Sequence, residues 1–150
     1  MRPYGTYAPE LAADFIAKWE GFRATAYKCP AGILTIGHGH TGEDVTPGDV
    51  VTYHEAYDIL VNDIKKVISD LEDFVEVDVS EGAFIALTSL AFNLGADGVV
   101  RKCPRLMAAL NRGDWEACAD EFLDVTRAGG KVLPGLVKRR AAEAALVRGC

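Results

Sequence analysis

The stretch KWEGFRATAYKCPAGILTIGHGHT, residues 18–41, changes character along its length and indicates how the N-terminal part of the chain folds. Apolar residues in the preceding segment, 10–20, recur at helical spacing, and Gly21 ends that pattern. From Phe22 to about Gly42, aromatic and β-branched residues are interrupted by CPAG and GHGH, which is typical of short strands joined by turns. The stretch therefore predicts a helix followed by a small hairpin or three-stranded sheet.

The remainder of the chain has mostly helical signals. TPGD at 46–49 predicts a turn, and Thr52 with Glu55 makes a capping box that opens a long helix. Four shorter helices are expected after it, with start signals at Ser80, Pro104, Asp114 and Pro134 and stop signals at Gly95, Gly113, Gly129–Gly130 and Gly149.

These elements predict a single domain over residues 1–150, of the α+β class but mostly α. We expect an N-terminal lobe over about 10–51 that carries the sheet, a connecting helix over about 52–73 and a helical C-terminal lobe over about 80–148. A cleft between two such lobes is the natural place for a site.

Composition narrows the class of protein. The 150 residues are 49% hydrophobic and 25% charged, which is globular, and no apolar run predicts stable membrane insertion. The net charge of −6 argues against nucleic acid as a general partner. Residues 99–150 nevertheless hold 10 Lys/Arg against 6 Asp/Glu, a basic part that suits either an anionic polymer or a solvated helical surface.

Several residues in the opening stretch could take part in catalysis or bind a metal ion. Glu20 stands at the C-terminal end of a helix, where the helix dipole disfavours a negative carboxylate and so favours the protonated form that a general acid needs. Most glutamates at such positions are simply exposed to water. Cys29 is either a small buried residue, a nucleophile paired with His38 or His40, or a zinc ligand beside them. In a strand the two histidines share one face, but the glycines of GHGH equally permit a tight bend, and no fourth zinc ligand is evident. Cysteines at 29, 103, 118 and 150 form no CxxC motif, so reduced thiols are expected.

A family resemblance covers about residues 10–147. Eight residues separate Glu20 from Cys29, and five separate Cys29 from Thr35, where TIGHGHT begins. FNLG at 92–95, LNRGDWEACADEF at 110–122 and GGKVLPGLVKRRAAEAAL at 129–146 follow in the same order as in the family. The chain resembles the phage-type lysozymes, the endolysins of glycoside hydrolase family 24.

The resemblance implies a lysozyme-like two-lobed fold and cleavage of the β-1,4 bond between N-acetylmuramic acid and N-acetylglucosamine in bacterial peptidoglycan. It makes Glu20 the general acid, places Cys29 where many relatives have aspartate, and makes Thr35 the third catalytic residue. The other site residues that it implies are Gly39, Phe92 and Asn93 for substrate binding and His40 for support.

The resemblance also implies no metal and no organic cofactor. It implies a monomer that waits in the host bacterial cytoplasm and reaches the cell wall after release through a holin-type pore. The mechanistic role of Cys29 stays open between a water-orienting group, a thiolate base and a nucleophile.

Three other activities stay open at this point. A lytic transglycosylase needs one acid and no second carboxylate, and it leaves a 1,6-anhydro product. A peptidase or amidase acting through Cys29 would cut the peptide stems instead. A wall-binding module would bind peptidoglycan without cleaving it, although the presence of Glu20 argues against this.

The last predicted helix carries an inward-pointing arginine. Its apolar residues define one stripe, in the middle of which Arg140 falls, while Arg139 lies on the more exposed side. A buried guanidinium needs a partner. Glu143 is one candidate partner, a route to water is another, and hydrogen bonding to Glu20 is the prediction that bears on function.

Overall fold

The computed structural model describes residues 1–29 and 31–149. Over these ranges the helices and strands are, in chain order, α1 Pro9–Glu20, β1 Arg23–Lys28, β2 Leu34–Gly37, β3 His40–Thr41, α2 Tyr53–Leu71, α3 Glu81–Leu94, α4 Ala96–Lys102, α5 Pro104–Asn111, α6 Trp115–Phe122, β4 Arg127–Ala128, β5 Lys131–Val132 and α7 Pro134–Arg148. Short 3₁₀ turns occupy Tyr4–Thr6 and Glu72–Phe74. The predicted α+β, mostly helical class is confirmed.

The chain divides into two compact units. The first is Pro9–Lys66, and the second combines residues 1–8 with residues 67–149 of the described chain. The division falls inside α2, so this helix is shared by both units.

The first unit holds α1, the three-stranded sheet and most of α2. Strands β1, β2 and β3 are antiparallel and lie in that order, with Tyr27 opposite Thr35 and Thr35 opposite Thr41. The predicted capping box begins α2: Thr52 Oγ1 accepts from the Glu55 amide at 3.1 Å, and Glu55 Oε1 accepts from the Thr52 amide at 2.9 Å. These two bonds satisfy amides that the first helical turn leaves unpaired.

The second unit is built on α3, whose residues 83–84 and 86–91 are buried. The N-terminal residues belong to this unit: Tyr4 shares a hydrogen bond with Thr88 at 2.8 Å, and Arg2 bridges to Val79. Helices α3 and α7 pack backbone to backbone at Gly82, where an added Cβ would lie 2.2 Å from the Leu146 carbonyl oxygen.

Two elements of the second unit differ from the sequence prediction. The helix that Asp114 caps ends at Phe122, and the two glycines at 129–130 instead form the turn of the β4–β5 hairpin. Both glycines have positive φ, 58° and 78°, as a two-residue hairpin turn requires. Helix α4 was not predicted: Gly95 ends α3, and α4 starts at once at an angle of 98° to it.

No single helix among the described residues is long and apolar enough to cross a membrane. Helices α3 and α4 reach that length and composition only as a bent pair.

Candidate active site

The Glu20 carboxylate lies against the backbone of Gly39. Glu20 is the last residue of α1 and is partly exposed. Gly39 belongs to the turn between β2 and β3 and has φ +82°; a Cβ there would lie 3.0 Å from Glu20 Oε1. Gly39 therefore supplies both a left-handed backbone and the room that the carboxylate occupies.

Cys29 is a partly exposed free thiol in the turn that joins β1 to β2. The backbone N–H groups of Ile33 and Ala31 lower the pKa of this thiol, and a hydrogen bond with the Thr35 side chain adds to the effect. The turn thus favours the thiolate form of Cys29 relative to a free cysteine. Cys103 and Cys118 are also free, as predicted, and Cys150 lies outside the described residues.

Thr35 lies in β2 directly beside this turn. Its side chain is buried, and Oγ1 donates to the Ile33 carbonyl at 3.0 Å. Thr35 also contributes to the lowered pKa of Cys29, so the two side chains lie close together.

The two histidines of GHGH do not share a face, and the chain instead makes the tight bend that was the other possibility for this glycine-rich segment. Strand β2 ends at Gly37, whose φ is +65°, so the chain turns at His38 and the period of two is lost. His38 Nδ1–H donates to the Gly21 carbonyl, and its ring packs against both Phe22 and Tyr53 with centroids 5.7 and 5.4 Å away.

His40 has entirely different partners. Its Nδ1 bonds Asp63 Oδ2 at 2.8 Å, and its Nε2 bonds both oxygens of Asp44 at 3.1 Å. Partial burial lowers the pKa of His40, but the two carboxylates together outweigh burial, so the pKa is raised. No group of three or more His, Cys, Asp or Glu side chains within residues 1–29 and 31–149 has the geometry to hold a metal ion.

The remaining predicted residues belong to the second unit. Phe92 is partly exposed near the end of α3, and the exposed Asn93 accepts a hydrogen bond from Arg140 Nη2 through its Oδ1. Arg140 is fully buried, as predicted, and its Nη1 pairs with Glu143 Oε1 at 2.9 Å. Glu143 was one of the candidate partners named for it.

Arg139 is buried as well, which corrects its predicted exposure. Its Nε lies 3.2 Å from Ser89 Oγ and 3.5 Å from Glu143 Oε2. The buried face of α7 thus consists largely of charged residues, so the spacing of its apolar residues does not show which face is buried. Burial raises the pKa of Glu143, although Arg140, Ser89 and Arg139 all oppose the shift.

The first unit contains five of the predicted residues, Glu20, Cys29, Thr35, Gly39 and His40, and within it Gly39 lies against Glu20 and Thr35 lies beside Cys29. Phe92, Asn93 and Arg140 belong to the second unit. Sequence reasoning missed the bonds of His38 to Gly21 and of His40 to Asp63, because 17 and 23 residues separate the partners. Asp44, four residues after His40, was the one partner within local reach.

The mostly helical fold with its small antiparallel sheet is lysozyme-like, as its similarity to solved endolysin structures shows. The family model for phage lysozyme matches residues 17–143. The chain therefore belongs to the phage lysozyme family, as the sequence motifs predict.

Relatives and solved structures agree with this assignment. An endolysin of Acyrthosiphon pisum secondary endosymbiont phage 1 is 38% identical over 91% of this chain and 94% of its own length. An endolysin of Bacillus phage B103 is also 38% identical over 91% of this chain, but the match spans only 52% of that relative. The chain thus spans about half the length of some relatives.

Two solved structures have closely similar folds. The endolysin from Escherichia coli O157:H7 phage FAHEc1 has a TM-score of 0.83 at 27% identity, covering 95% of this chain and 93% of its own. The muramidase domain of SpmX from Asticaccaulis excentricus has a TM-score of 0.84 at 27% identity, covering 94% and 97%.

Proposed function

We propose that this chain is a muramidase that hydrolyses the β-1,4 bond between N-acetylmuramic acid and N-acetylglucosamine in peptidoglycan. Membership of the phage lysozyme family and similarity to endolysins and a muramidase domain support a peptidoglycan hydrolase. The observation that carries the proposal is the Glu20 carboxylate, held against Gly39 in the unit that also holds Cys29 and Thr35.

Each residue has a distinct role in this proposal. Glu20 donates its proton to the glycosidic oxygen, so that the glycosidic bond breaks and the leaving sugar departs as an alcohol while cationic character develops at the anomeric carbon. Water then bonds to that carbon and gives its proton to the basic group left in the site, after which Glu20 is protonated again. Cys29 provides a negatively charged or water-orienting group, consistent with the N–H groups of Ile33 and Ala31 that favour a thiolate. Thr35 holds that group in place through its hydroxyl.

Substrate binding is the second part of the proposal. Gly39, Phe92 and Asn93 contact the sugar chain, and His40 supports the sheet through its two carboxylate partners. The hydrogen bond from Arg140 to Glu20 stays a prediction, which unchanged turnover in Arg140→Met would contradict.

Release and location are proposals of the same kind. The protein acts on the cell wall as a monomer, after a holin-type pore lets it leave the host cytoplasm. We expect purified protein added from outside to clear Gram-negative cells only when their outer membrane has been permeabilised.

Product analysis tests the activity directly. Digestion of purified peptidoglycan followed by mass spectrometry gives fragments with a reducible sugar end from a hydrolase. A lytic transglycosylase is the nearest alternative, because position 29 has no carboxylate. It would give fragments with 1,6-anhydro ends, which are lighter by the mass of one water molecule. Free peptide stems would indicate an amidase or peptidase, and intact glycan would indicate a binding module.

The acid assignment is tested by Glu20→Gln, which keeps the shape of the side chain and removes its proton. We expect turnover to fall by about 10²–10⁴-fold, the usual contribution of a general acid. Near wild-type clearing by Glu20→Gln would mean that another residue is the acid.

A further inference from the structure

The segment Gly37–His38–Gly39 contacts the end of α1 at two points. His38 Nδ1–H donates to the carbonyl of Gly21, the residue that follows Glu20. Gly39, the next residue after His38, lies against the Glu20 carboxylate itself. One turn of the sheet therefore holds both the backbone that follows the proposed acid and the side chain of that acid.

We propose that His38 is a positioning residue for Glu20, acting through its hydrogen bond to the Gly21 carbonyl. The inference rests on the proposed function, in which Glu20 is the general acid. His38 itself does not touch the substrate or the reacting atoms.

The chemistry of the ring limits its role to this one bond. A carbonyl oxygen only accepts hydrogen bonds, so Nδ1 must carry a proton. The side chain is 3% exposed, and Nε2 is buried with no hydrogen-bond partner among the described residues. The ring therefore makes one polar contact and otherwise packs against Phe22 and Tyr53.

The backbone at Gly21 needs such a restraint. Helix α1 ends at Glu20, and Gly21 follows it with φ +72° and open space where a Cβ would be. A glycine at this point has more conformations available than any other residue. Anchoring its carbonyl fixes the end of the helix, and a displacement of about 1 Å at a catalytic group can cost about 10²-fold in rate.

The simpler alternative is that His38 only packs against two aromatic rings. Three substitutions separate the donor from the ring. His38→Phe keeps an aromatic ring and loses the donor, His38→Asn keeps a donor near the Nδ1 position without a ring, and His38→Leu matches asparagine in shape without either.

We expect kcat to depend on whether residue 38 has a hydrogen-bond donor, and the melting temperature to depend on whether it has an aromatic ring. His38→Phe and His38→Leu should lower kcat by about 10-fold or more with KM within about twofold, whereas His38→Asn should stay within about threefold of wild type. All variants are assayed well below their own melting temperatures on the same soluble peptidoglycan fragments.

Two results would overturn the proposal: wild-type kcat in His38→Phe, or equal losses in His38→Asn and His38→Leu. Glu20→Gln is measured in parallel. If Glu20→Gln stays active, the proposed function fails. If Glu20→Gln is inactive while His38→Phe keeps its kcat and His38→Asn and His38→Leu lose theirs, the proposed function stands and only the positioning role fails.

Discussion

At the scale of single residues, the space beside the Glu20 carboxylate depends on one missing side chain. A Cβ on Gly39 would come within 3.0 Å of Glu20 Oε1, closer than carbon and oxygen normally approach. Because the contact is with the end of a flexible side chain, the carboxylate rather than the backbone would move. The position of the proposed acid is thus sensitive to a residue that has no side-chain chemistry.

Gly39→Ala should therefore lower turnover more than stability. The positive φ costs roughly 1–2 kcal/mol for a residue with a Cβ, and displacement of the carboxylate should cost about 10-fold or more in kcat. Gly48→Ala is the matched control, since Gly48 has φ +87° in the same unit but nothing within 4 Å of its Cβ position. Equal kcat values for the two variants, measured on the same substrate, would contradict the expectation.

Cys29 should be replaceable by aspartate but not by serine. The N–H groups of Ile33 and Ala31, which lower the pKa of the thiol, can stabilise a carboxylate in the same way. Cys29→Asp should keep kcat within about 10-fold, while Cys29→Ser, which stays neutral, should lose most of it.

The pH dependence of the rate in the wild type and in Cys29→Asp provides a second test of the role of Cys29. If a thiolate is required, the wild-type rate falls as pH drops through the Cys29 pKa. In Cys29→Asp that fall should move to lower pH, because reference values are about 8.5 for cysteine and about 3.9 for aspartate. Superimposable profiles would exclude a charged role for Cys29.

At the scale of elements, the predictable parts were those with local signals. Helices α1 and α2 have clear apolar periodicity, and α2 also has a capping box at Thr52 and Glu55. Helix α4 has seven residues and no side-chain cap, so nothing in the sequence distinguishes it from a loop. The β4–β5 strands have only two residues each, too few for alternation to be visible.

The residues of the candidate site were also predictable only where the signal was local in the sequence. The spacing of Glu20, Cys29 and Thr35 is a sequence motif, so these candidates could be named in advance. The bond from His38 to Gly21 depends on how the sheet folds back toward α1, which no local pattern encodes. Arg139 was misplaced because its buried surroundings are the polar groups of Ser89 and Glu143 rather than apolar side chains.

The bonds of His40 to Asp44 and Asp63 connect β3, the following loop and α2, and they should depend on pH. The folded state raises the His40 pKa, so the protonated ring stabilises the fold fully below the unfolded value of about 6.5. That contribution is lost as pH rises through the folded pKa.

His40→Gln should therefore destabilise the protein more at about pH 6 than at about pH 9, as measured by denaturant unfolding. His54→Gln is the control, because the His54–Asp58 pair is solvent-exposed at 3.4 Å. A loss from His40→Gln that is the same at both pH values would show that packing, not charge, is what His40 contributes.

At the scale of the whole molecule, α2 is the helix that the two compact units share, and the division between the units follows Lys66. Because the division falls inside a continuous helix, a looser backbone at this point should lower the stability of the protein.

Lys66→Gly tests this dependence, since Lys66 is an exposed residue inside the helix. Glycine costs about 1 kcal/mol relative to alanine there and loosens the backbone. We expect Lys66→Gly to lower the melting temperature relative to Lys66→Ala, which removes the same charge but keeps the helix stiff. Equal melting temperatures in the two variants would mean that the backbone of α2 at Lys66 does not limit stability.

Gly82, where α3 meets the Leu146 carbonyl, bears on how mutational tolerance should be interpreted in this protein. With only 2.2 Å between that oxygen and a Cβ, even alanine would have to push α7 away from α3. In a library of all substitutions, position 82 should therefore be as invariant as position 20. The two would differ in what is lost: variants at 20 would accumulate as folded, inactive protein, whereas variants at 82 would disappear from the soluble fraction. Invariance alone does not identify a catalytic residue in this protein.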